Sequence, residues 1–343
     1  MCEIERCCKE ILAMKLSFCI PTYNRSSFLE KNLNIIVNQI EELSVENDVE
    51  ILVMDNASSD NTAAVCRSIM DIHKAINIEY HVHHTNLGAD RNFISAMKLA
   101  HGKYSILWGD DDYLIDGALK KILKLIESGH SLYLSNRKCI DTEGNFIREQ
   151  QFIDIPHANK VFYYNNEDSI RSHFYGITTM GGALSFISSV IYKTVILNKF
   201  EFDDRVIGSN YAFLFYWWNE LLSGGTLYYL NESYVLATTS GSTNNNYGDK
   251  VDRVLVDYVG FSTIAKIVFA NSPYKNDFLK IVDKDHPDLL LRNLYFNDKK
   301  KFVTKLYIAL TNAGWSNLRL DSFKESVSLT RILKNIIKGF ILP

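Results

Sequence analysis

Along the N-terminal part of the chain, apolar residues switch repeatedly between two spacings. Residues 16–20 form a short apolar run ended by Pro21, after which Phe28, Leu29, Leu33, Ile36, Val37 and Ile40 recur at helical spacing. The change of period predicts a buried strand followed by an amphipathic helix. Ser27 with Glu30 three residues on carries the signature of a capping box at that helix's start. Residues 50–54 predict a second strand, Asp55-Asn56-Ala57-Ser58-Ser59-Asp60 a turn-rich loop, and residues 62–72 a helix. Residues 76–82 predict a third strand. After Asn86-Leu87-Gly88, a helix presents Phe93, Ile94, Met97 and Leu99 on one side and stops at Gly102. Residues 104–108 predict a fourth strand, running directly into Gly109 and Asp110-Asp111-Asp112.

Strands alternating with helices in this way imply βαβ units, hence an α/β fold with a doubly wound, mostly parallel sheet. Ligands of such sheets sit outside the carboxyl ends of the strands. That is where the polar clusters fall: Thr22-Tyr23-Asn24-Arg25, Asp55-Asn56, Asn86-Leu87-Gly88 and the aspartates each follow a strand. The pattern predicts one crevice lined by these loops.

Beyond residue 130 the pattern loosens, with strand-like pieces at 132–135 and 161–164 and a helix at 211–222, and this part is expected to complete the same domain. The expected organisation is an N-terminal extension over 1–13, a main domain over 14–248 and a C-terminal helical region over 249–343. Residues 239–246 and their neighbour Thr238, rich in Ser, Thr and Asn, predict a loop. Residues 299–343 carry nine Lys or Arg against two acidic residues. Residues 331–338 are apolar and basic at helical spacing, which suits a helix on a membrane surface or, equally, one docked with solvated lysines. The longest stretch free of Asp, Glu, Lys and Arg, 172–192, contains Thr178, Thr179, Gly181, Gly182, Ser188 and Ser189, a content unlike a transmembrane helix.

Composition narrows the partners. The chain of 343 residues is 47% hydrophobic and 22% charged with a formal net charge of -3, an ordinary globular balance that argues against nucleic acid. Its six cysteines, at 2, 7, 8, 19, 66 and 139, have no metal or redox spacing and read as free thiols of a reducing compartment. The first residues lack the basic start and apolar stretch of a secretory signal, so a cytoplasmic location is expected.

Three consecutive aspartates at the end of an apolar strand repel one another, and burying that charge is unfavourable unless a cation offsets it. Oxygen-only ligands select hard ions such as Mg²⁺ or Mn²⁺, which also bridge to phosphates; a solvated acidic turn is the competing reading. Asp55 could accept a hydrogen bond from a nucleotide base or simply cap a turn. The same choice applies to Thr22, Asn24 and Arg25.

Taken together, Ile20-Pro21-Thr22-Tyr23-Asn24-Arg25, Val53-Met54-Asp55-Asn56-Ala57-Ser58-Ser59-Asp60-Asn61-Thr62, Asn86-Leu87-Gly88 and Trp108-Gly109-Asp110-Asp111-Asp112 resemble family 2 of the glycosyltransferases over residues 14–125. Asn86-Leu87-Gly88-Ala89-Asp90-Arg91-Asn92-Phe93, with Gly181-Gly182, Ser188-Ser189 and Ile207-Gly208, is further similar to bacterial O-antigen transferases of the abequosyltransferase type. The resemblance implies a GT-A fold. It also implies transfer of a sugar, such as a deoxy- or dideoxyhexose, from a nucleoside-diphosphate donor to a hydroxyl of a lipid-linked or polysaccharide acceptor, at the inner face of the plasma membrane. On this resemblance Thr22, Tyr23, Asn24, Arg25, Asp55, Asn56, Asn86, Arg91 and Asp110 would hold the nucleotide, and Asp110, Asp111 and Asp112 would hold Mg²⁺ or Mn²⁺ and the diphosphate, with Asp111 ranked first for the metal.

Two departures stand out. Gly109 replaces an aspartate common in the family, and the usual Glu-Asp pair that furnishes the catalytic base is missing near Gly208-Ser209-Asn210. A base must lie within hydrogen-bond reach of the acceptor hydroxyl; Asp204 is the expected candidate and Glu220 the other nearby carboxylate, although each also suits a structural role. Gly181-Gly182 could admit the donor sugar, and the aromatic run Tyr211, Phe213, Phe215, Tyr216, Trp217 and Trp218 could stack on sugar or pack a core. The rival functions are a nucleotidyltransferase, disfavoured because residues 21–27 contain no glycine, and an inactive nucleotide-sugar-binding module.

Overall fold

A computed structural model describes residues 14–155, 159–238, 249–298 and 302–315. The expected extension over 1–13, the loop residues 239–246 and the basic segment 331–338 lie outside the described residues. The chain divides into two compact units, residues 1–243 and 244–343.

The first unit begins with β1 (Leu16–Thr22), α1 (Ser26–Leu43), β2 (Val49–Asp55), α2 (Thr62–Ile72), β3 (Asn77–Val82), α3 (Ala89–Lys98) and β4 (Tyr104–Leu107). β1 pairs in parallel with β2 on one side and β4 on the other, and β2 pairs in parallel with β3. Every residue of β1 and β2 is buried, which is why these strands read as largely apolar runs rather than as alternation. Leu29, Leu33, Ile36, Val37 and Ile40 of α1 close one face of this sheet. The α/β fold with its mostly parallel central sheet is therefore as the periodicity implied.

The sheet then continues through β5 (Asp112–Leu114), β6 (Leu132–Ile140), β7 (Phe146–Gln150), β8 (Lys160–Tyr163), β9 (Val190–Lys193) and β10 (Thr226–Thr238), with α4 (Ala118–Ile126), α5 (Glu167–Gly176) and α6 (Leu214–Leu222) between them. The order is β3-β2-β1-β4-β9-β6-β10-β5, with β7 on β6 and β8 on β10. β9 runs antiparallel between β4 and β6, and β10 is parallel to β6. β6 thus runs in the same direction as β4, and the two share a C-terminal rim.

Several local expectations are corrected. β1 does not stop at Pro21 but continues to Thr22; β4 pairs β1 only as far as Cys19, so the missing N–H of Pro21 breaks no ladder on that side. The capping box does not form: α1 starts at Ser26 with Arg25 as its cap and no side-chain cap bond, and Ser26 N–H donates instead to Asp60 Oδ2 at 2.9 Å. Gly102 does not stop α3, which ends at Lys98. Its lack of a side chain serves a close approach, since a Cβ there would lie 2.7 Å from Ser17 Oγ and 2.9 Å from the Leu16 backbone. The stretch 172–192 forms the end of α5, two short turns of 3-10 helix and β9, and no described helix is long and apolar enough to cross a membrane. Cys19, Cys66 and Cys139 are buried free thiols.

The second unit is helical. Its longest helix among the described residues, α7 (Lys250–Ile267), starts at a capping box in which Asp249 accepts from the N–H groups of Val251 and Asp252. Phe278 stacks on Phe261 and Phe269 beneath it.

Candidate active site

The loop after β1 meets the aspartates. Thr22 Oγ1 donates to Asp110 Oδ2 at 2.7 Å. Arg25 Nη1 donates to Asp110 Oδ1 at 2.9 Å and lies 2.8 Å from Asp111 Oδ2. Asn24 sits between them with φ +54, a conformation asparagine tolerates better than most residues. It is held there by the loop after β2: Asn24 N–H donates to Ser58 Oγ and Asn24 Oδ1 accepts from Ser59 N–H, both at 2.8 Å. Tyr23 projects from the rim, exposed.

The remaining rim loops are stitched to these. Asp55, buried at the end of β2, accepts from Ser58 N–H at 2.9 Å and from Tyr80 Oη at 2.6 Å. The buried Asn56 donates to Asn86 Oδ1 at 2.9 Å and accepts from Leu87 N–H at 2.8 Å. Asn92, on α3, donates to the carbonyls of Met54 at 3.2 Å and Thr22 at 3.4 Å. Arg91 lies on the exposed side of the same helix, its guanidinium 3.5 Å from the Asp204 carboxylate.

The three aspartates have different surroundings. Asp110 and Asp112 are buried, whereas the Asp111 side chain is 24% exposed. Asp112 turns inward and accepts a short hydrogen bond from Ser188 Oγ, which itself accepts from Gly109 N–H at 2.8 Å. A Cβ at Gly109 would lie 2.6 Å from Asp112 Oδ2; glycine at this position leaves room for the inward carboxylate. Behind it, Asn32 donates to Gly109 O at 2.8 Å and accepts from Trp108 Nε1 at 3.0 Å. Burial, reinforced by Asp111, pushes the Asp112 carboxyl up to about 7. Burial also lifts Asp110 to about 6, with Arg25 partly opposing the rise. Two carboxylates thus converge on one positive group. The side chains offer oxygen ligands only, the class that hard cations take, and Asp111 is the most open of the three carboxylates, with Arg25 the cation it shares with Asp110.

Asp204 lies in a short helical turn with its side chain 75% exposed. Glu220 is removed from consideration as a base: it accepts from Ser131 Oγ at 2.8 Å and pairs with Lys199 at 2.7 Å, and Ser131 precedes β6, at the end of the sheet opposite the aspartates. The aromatic run around α6 is core, with Trp217 and Trp218 wholly buried. Gly181 and Gly182 are buried against Phe152, whose ring and carbonyl would lie 2.3 and 2.6 Å from added Cβ atoms. Their backbone approaches a phenylalanine, and the glycines are explained by packing.

Sequence reasoning gave Asn32 and Tyr80 no place in the site, and named Asn92 and Ser188 only within motifs, without the supporting roles seen here. Asn32 and Asn92 carried a usable signal, each being a polar residue beside the apolar stripe of an amphipathic helix. Ser188 and Tyr80 reach the site only through pairing of distant strands.

A parallel sheet whose C-terminal rim gathers a Thr-Tyr-Asn-Arg loop, a buried Asp-Asn pair and clustered aspartates defines a transferase of the GT-A type. The fold agrees with that of Staphylococcus aureus TarS 1-349, solved with UDP-GlcNAc, at a TM-score of 0.63 over 88% of this chain and 80% of that one, with 18% identity. The model of glycosyl transferase family 2 matches residues 17–194. Abequosyltransferase RfbV of Salmonella typhimurium is 30% identical over 96% of this chain and the whole of its own length. A Campylobacter jejuni GalNAc(5)-diNAcBac-PP-undecaprenol beta-1,3-glucosyltransferase is 26% identical over 79% of this chain and 78% of its own. The chain belongs to glycosyltransferase family 2 and is a glycosyltransferase, similar over nearly its whole length to abequosyltransferase RfbV.

Proposed function

We propose that this enzyme transfers a sugar, of the deoxy- or dideoxyhexose class, from a nucleoside-diphosphate donor to a hydroxyl of a lipid-linked or polysaccharide acceptor in bacterial surface-glycan synthesis, working at the cytoplasmic face of the inner membrane with Mg²⁺ or Mn²⁺. The carrying observation is the convergence of Thr22 and Arg25 on Asp110 and Asp111 at the rim of the parallel strands. The printed activities of the two relatives, both transferases and one with a polyprenyl-linked acceptor in its name, support the acceptor class.

In this reading the strand ends and loops carrying Thr22, Tyr23, Asn24, Asp55, Asn56 and Asn86, with Arg91 of α3, hold the nucleotide. Asp111 and Asp110 would hold the ion, which would supply positive charge to the departing diphosphate. Arg25 then exchanges its carboxylate partners for phosphate oxygens, which its planar fork suits equally well. Asp112 keeps its bond to Ser188 and fixes the turn that carries the other two. Asp204 is the proposed base.

The test measures thermal stabilisation by UDP-, CDP-, GDP- and dTDP-sugars with and without Mn²⁺, then release of nucleoside diphosphate when a polyprenyl-diphosphate-linked saccharide fraction is added. Metal-dependent stabilisation by one nucleotide class and acceptor-dependent release are expected. Stabilisation without release would leave a binding module and sink the proposal, as would release that ignores both chelator and acceptor.

A further inference from the structure

We propose that Asp90 is a positioning residue that shapes residues 207–212 into the acceptor-side wall of the site. It acts as the internal anion around which that segment folds. This rests on the transferase reading above and adds to it a residue with no role there.

Asp90 is 5% exposed on the first turn of α3. Its Oδ2 accepts from Gly208 N–H at 2.7 Å and Asn210 N–H at 2.9 Å, and its Oδ1 accepts from Ala212 N–H at 3.1 Å. Gly208 has φ +90 and Asn210 φ +62. Backbone N–H groups brought together by such alternation make a concave anion-binding nest, and here the anion is the protein's own carboxylate. Three backbone N–H groups and near-complete burial make Asp90 a holding group for this segment and not a base open to an acceptor hydroxyl. Phe93 on the next turn packs against Phe213, ring centroids 6.0 Å apart, fixing the same junction a second time.

The position of α3 gives the contact its meaning. The helix that holds residues 208–212 through Asp90 holds the ends of β1 and β2 through Asn92, and the end of β1 holds Asp110 through Thr22. One short helix therefore joins the nucleotide-diphosphate side of the rim to a segment more than a hundred residues downstream. On the surface the segment offers exposed Gly208 backbone flanked by the half-buried Ile207 and Asn210. An apolar group, an amide and open backbone suit a neutral sugar face rather than a charged one. Placing the acceptor hydroxyl is where small displacements matter most: a shift near 1 Å can reduce rate by roughly 10²-fold.

The experiment compares Asp90→Asn and Asp90→Glu with the parent enzyme. Asparagine turns a donor onto N–H groups that need an acceptor. Hydrogen exchange of the peptide spanning residues 204–213 is followed with UDP or CDP and Mn²⁺ present, alongside nucleotide affinity and the kinetics of release with the saccharide fraction. The expected result for Asp90→Asn is faster exchange confined to that peptide, nucleotide affinity within about twofold of the parent, and a fall in kcat/KM for the acceptor of roughly tenfold or more, with partial rescue in Asp90→Glu. Exchange and acceptor kinetics unchanged in folded Asp90→Asn would overturn the proposal. So would a loss of nucleotide affinity in step with the acceptor effect, because that reports general unfolding. Should the parent itself release no nucleoside diphosphate, the transferase chemistry has failed, while the exchange measurement still decides whether Asp90 holds the segment.

Discussion

The two ends of the parallel strands both bury carboxylates, and they treat them differently. At the N-terminal end Glu50, 1% exposed, accepts from Ser17 Oγ at 2.6 Å, His101 N–H at 2.8 Å, Gly102 N–H at 3.2 Å and Asn77 Nδ2 at 3.2 Å. Glu220 at the same end is held by Ser131 and Lys199. Glu79 and His101 bring further ligand atoms within 4.8 Å of Glu50, but the Glu50 oxygens are already taken up by fixed donors. At the C-terminal end three adjacent aspartates share Thr22, Arg25 and Ser188, and burial leaves Asp112 near neutral pH in its titration. A carboxylate saturated with hydrogen bonds ties strands together, whereas the rim divides three donor side chains among three adjacent carboxylates.

The largest effect that separates the two ends is on turnover. Asp111→Asn removes the most open carboxylate of the rim without stripping a buried partner, so stability should hold or rise as like-charge repulsion falls. Turnover should fall on the order of 10²- to 10³-fold, the scale of losing one charge-stabilising group. Release kinetics together with a melting curve check this; an unchanged rate would mean that the rim cluster is as structural as Glu50.

Glu50→Gln should do the converse. It sets an amide donor against Ser17, His101 and Gly102, and an unsatisfied buried group of this kind costs about 3 kcal/mol. The melting temperature should drop by several degrees while turnover per folded molecule stays at the parent value. A loss of turnover beyond the loss of folded protein would show that the two ends are coupled.

How much of this contrast was legible in the sequence follows from what each carboxylate depends on. The rim loops were readable because each comes after a segment of strand-like pattern, and a parallel sheet places all such ends together. Asp110-Asp111-Asp112 therefore read as one site before any coordinates. The inward turn of Asp112 did not, since it depends on Ser188, which arrives through the antiparallel β9. Nor did the roles of Gly102, Gly181 and Gly182, where only the three-dimensional neighbour distinguishes a turn from a close approach. The second half of the sheet was the least legible: β9 is short, and β10 is interrupted by register shifts at Ser233 that blur its alternation.

Proton linkage gives a third, smaller separation. The Asp112 and Asp110 carboxyls sit above their ordinary range chiefly through burial, so the folded protein favours their protonated forms. Their contribution is fully present below the unfolded carboxylate pKa and is lost as pH rises through about 7. Without added metal, the melting temperature should therefore decline between about pH 5 and about pH 8. Asp112→Asn should flatten the decline and Glu50→Gln should leave its slope unaltered. Equal slopes in parent and Asp112→Asn would remove the rim aspartates as its source.

The smallest effect lies at the N-terminal end. Ser131→Ala deletes one donor to Glu220 Oε1, but Lys199 remains 2.7 Å from the other oxygen and is itself 46% exposed. Water can follow such a half-open lysine, so the loss should be about 1 kcal/mol, the net value of a single replaceable hydrogen bond. Ser188→Ala is the matched change at the rim. There the hydroxyl is wholly buried and bridges Gly109 N–H to Asp112, so its removal strands two groups and raises the Asp112 carboxyl further. Denaturant melts of the two variants across pH decide the matter: Ser131→Ala should show a small, pH-independent loss, and Ser188→Ala a larger one that shrinks as acid protonates Asp112. If both losses were equal and flat with pH, the carboxylates at the two ends would be held by the same kind of interaction, and the distinction between a saturated tie and a sparsely bonded cluster would fail.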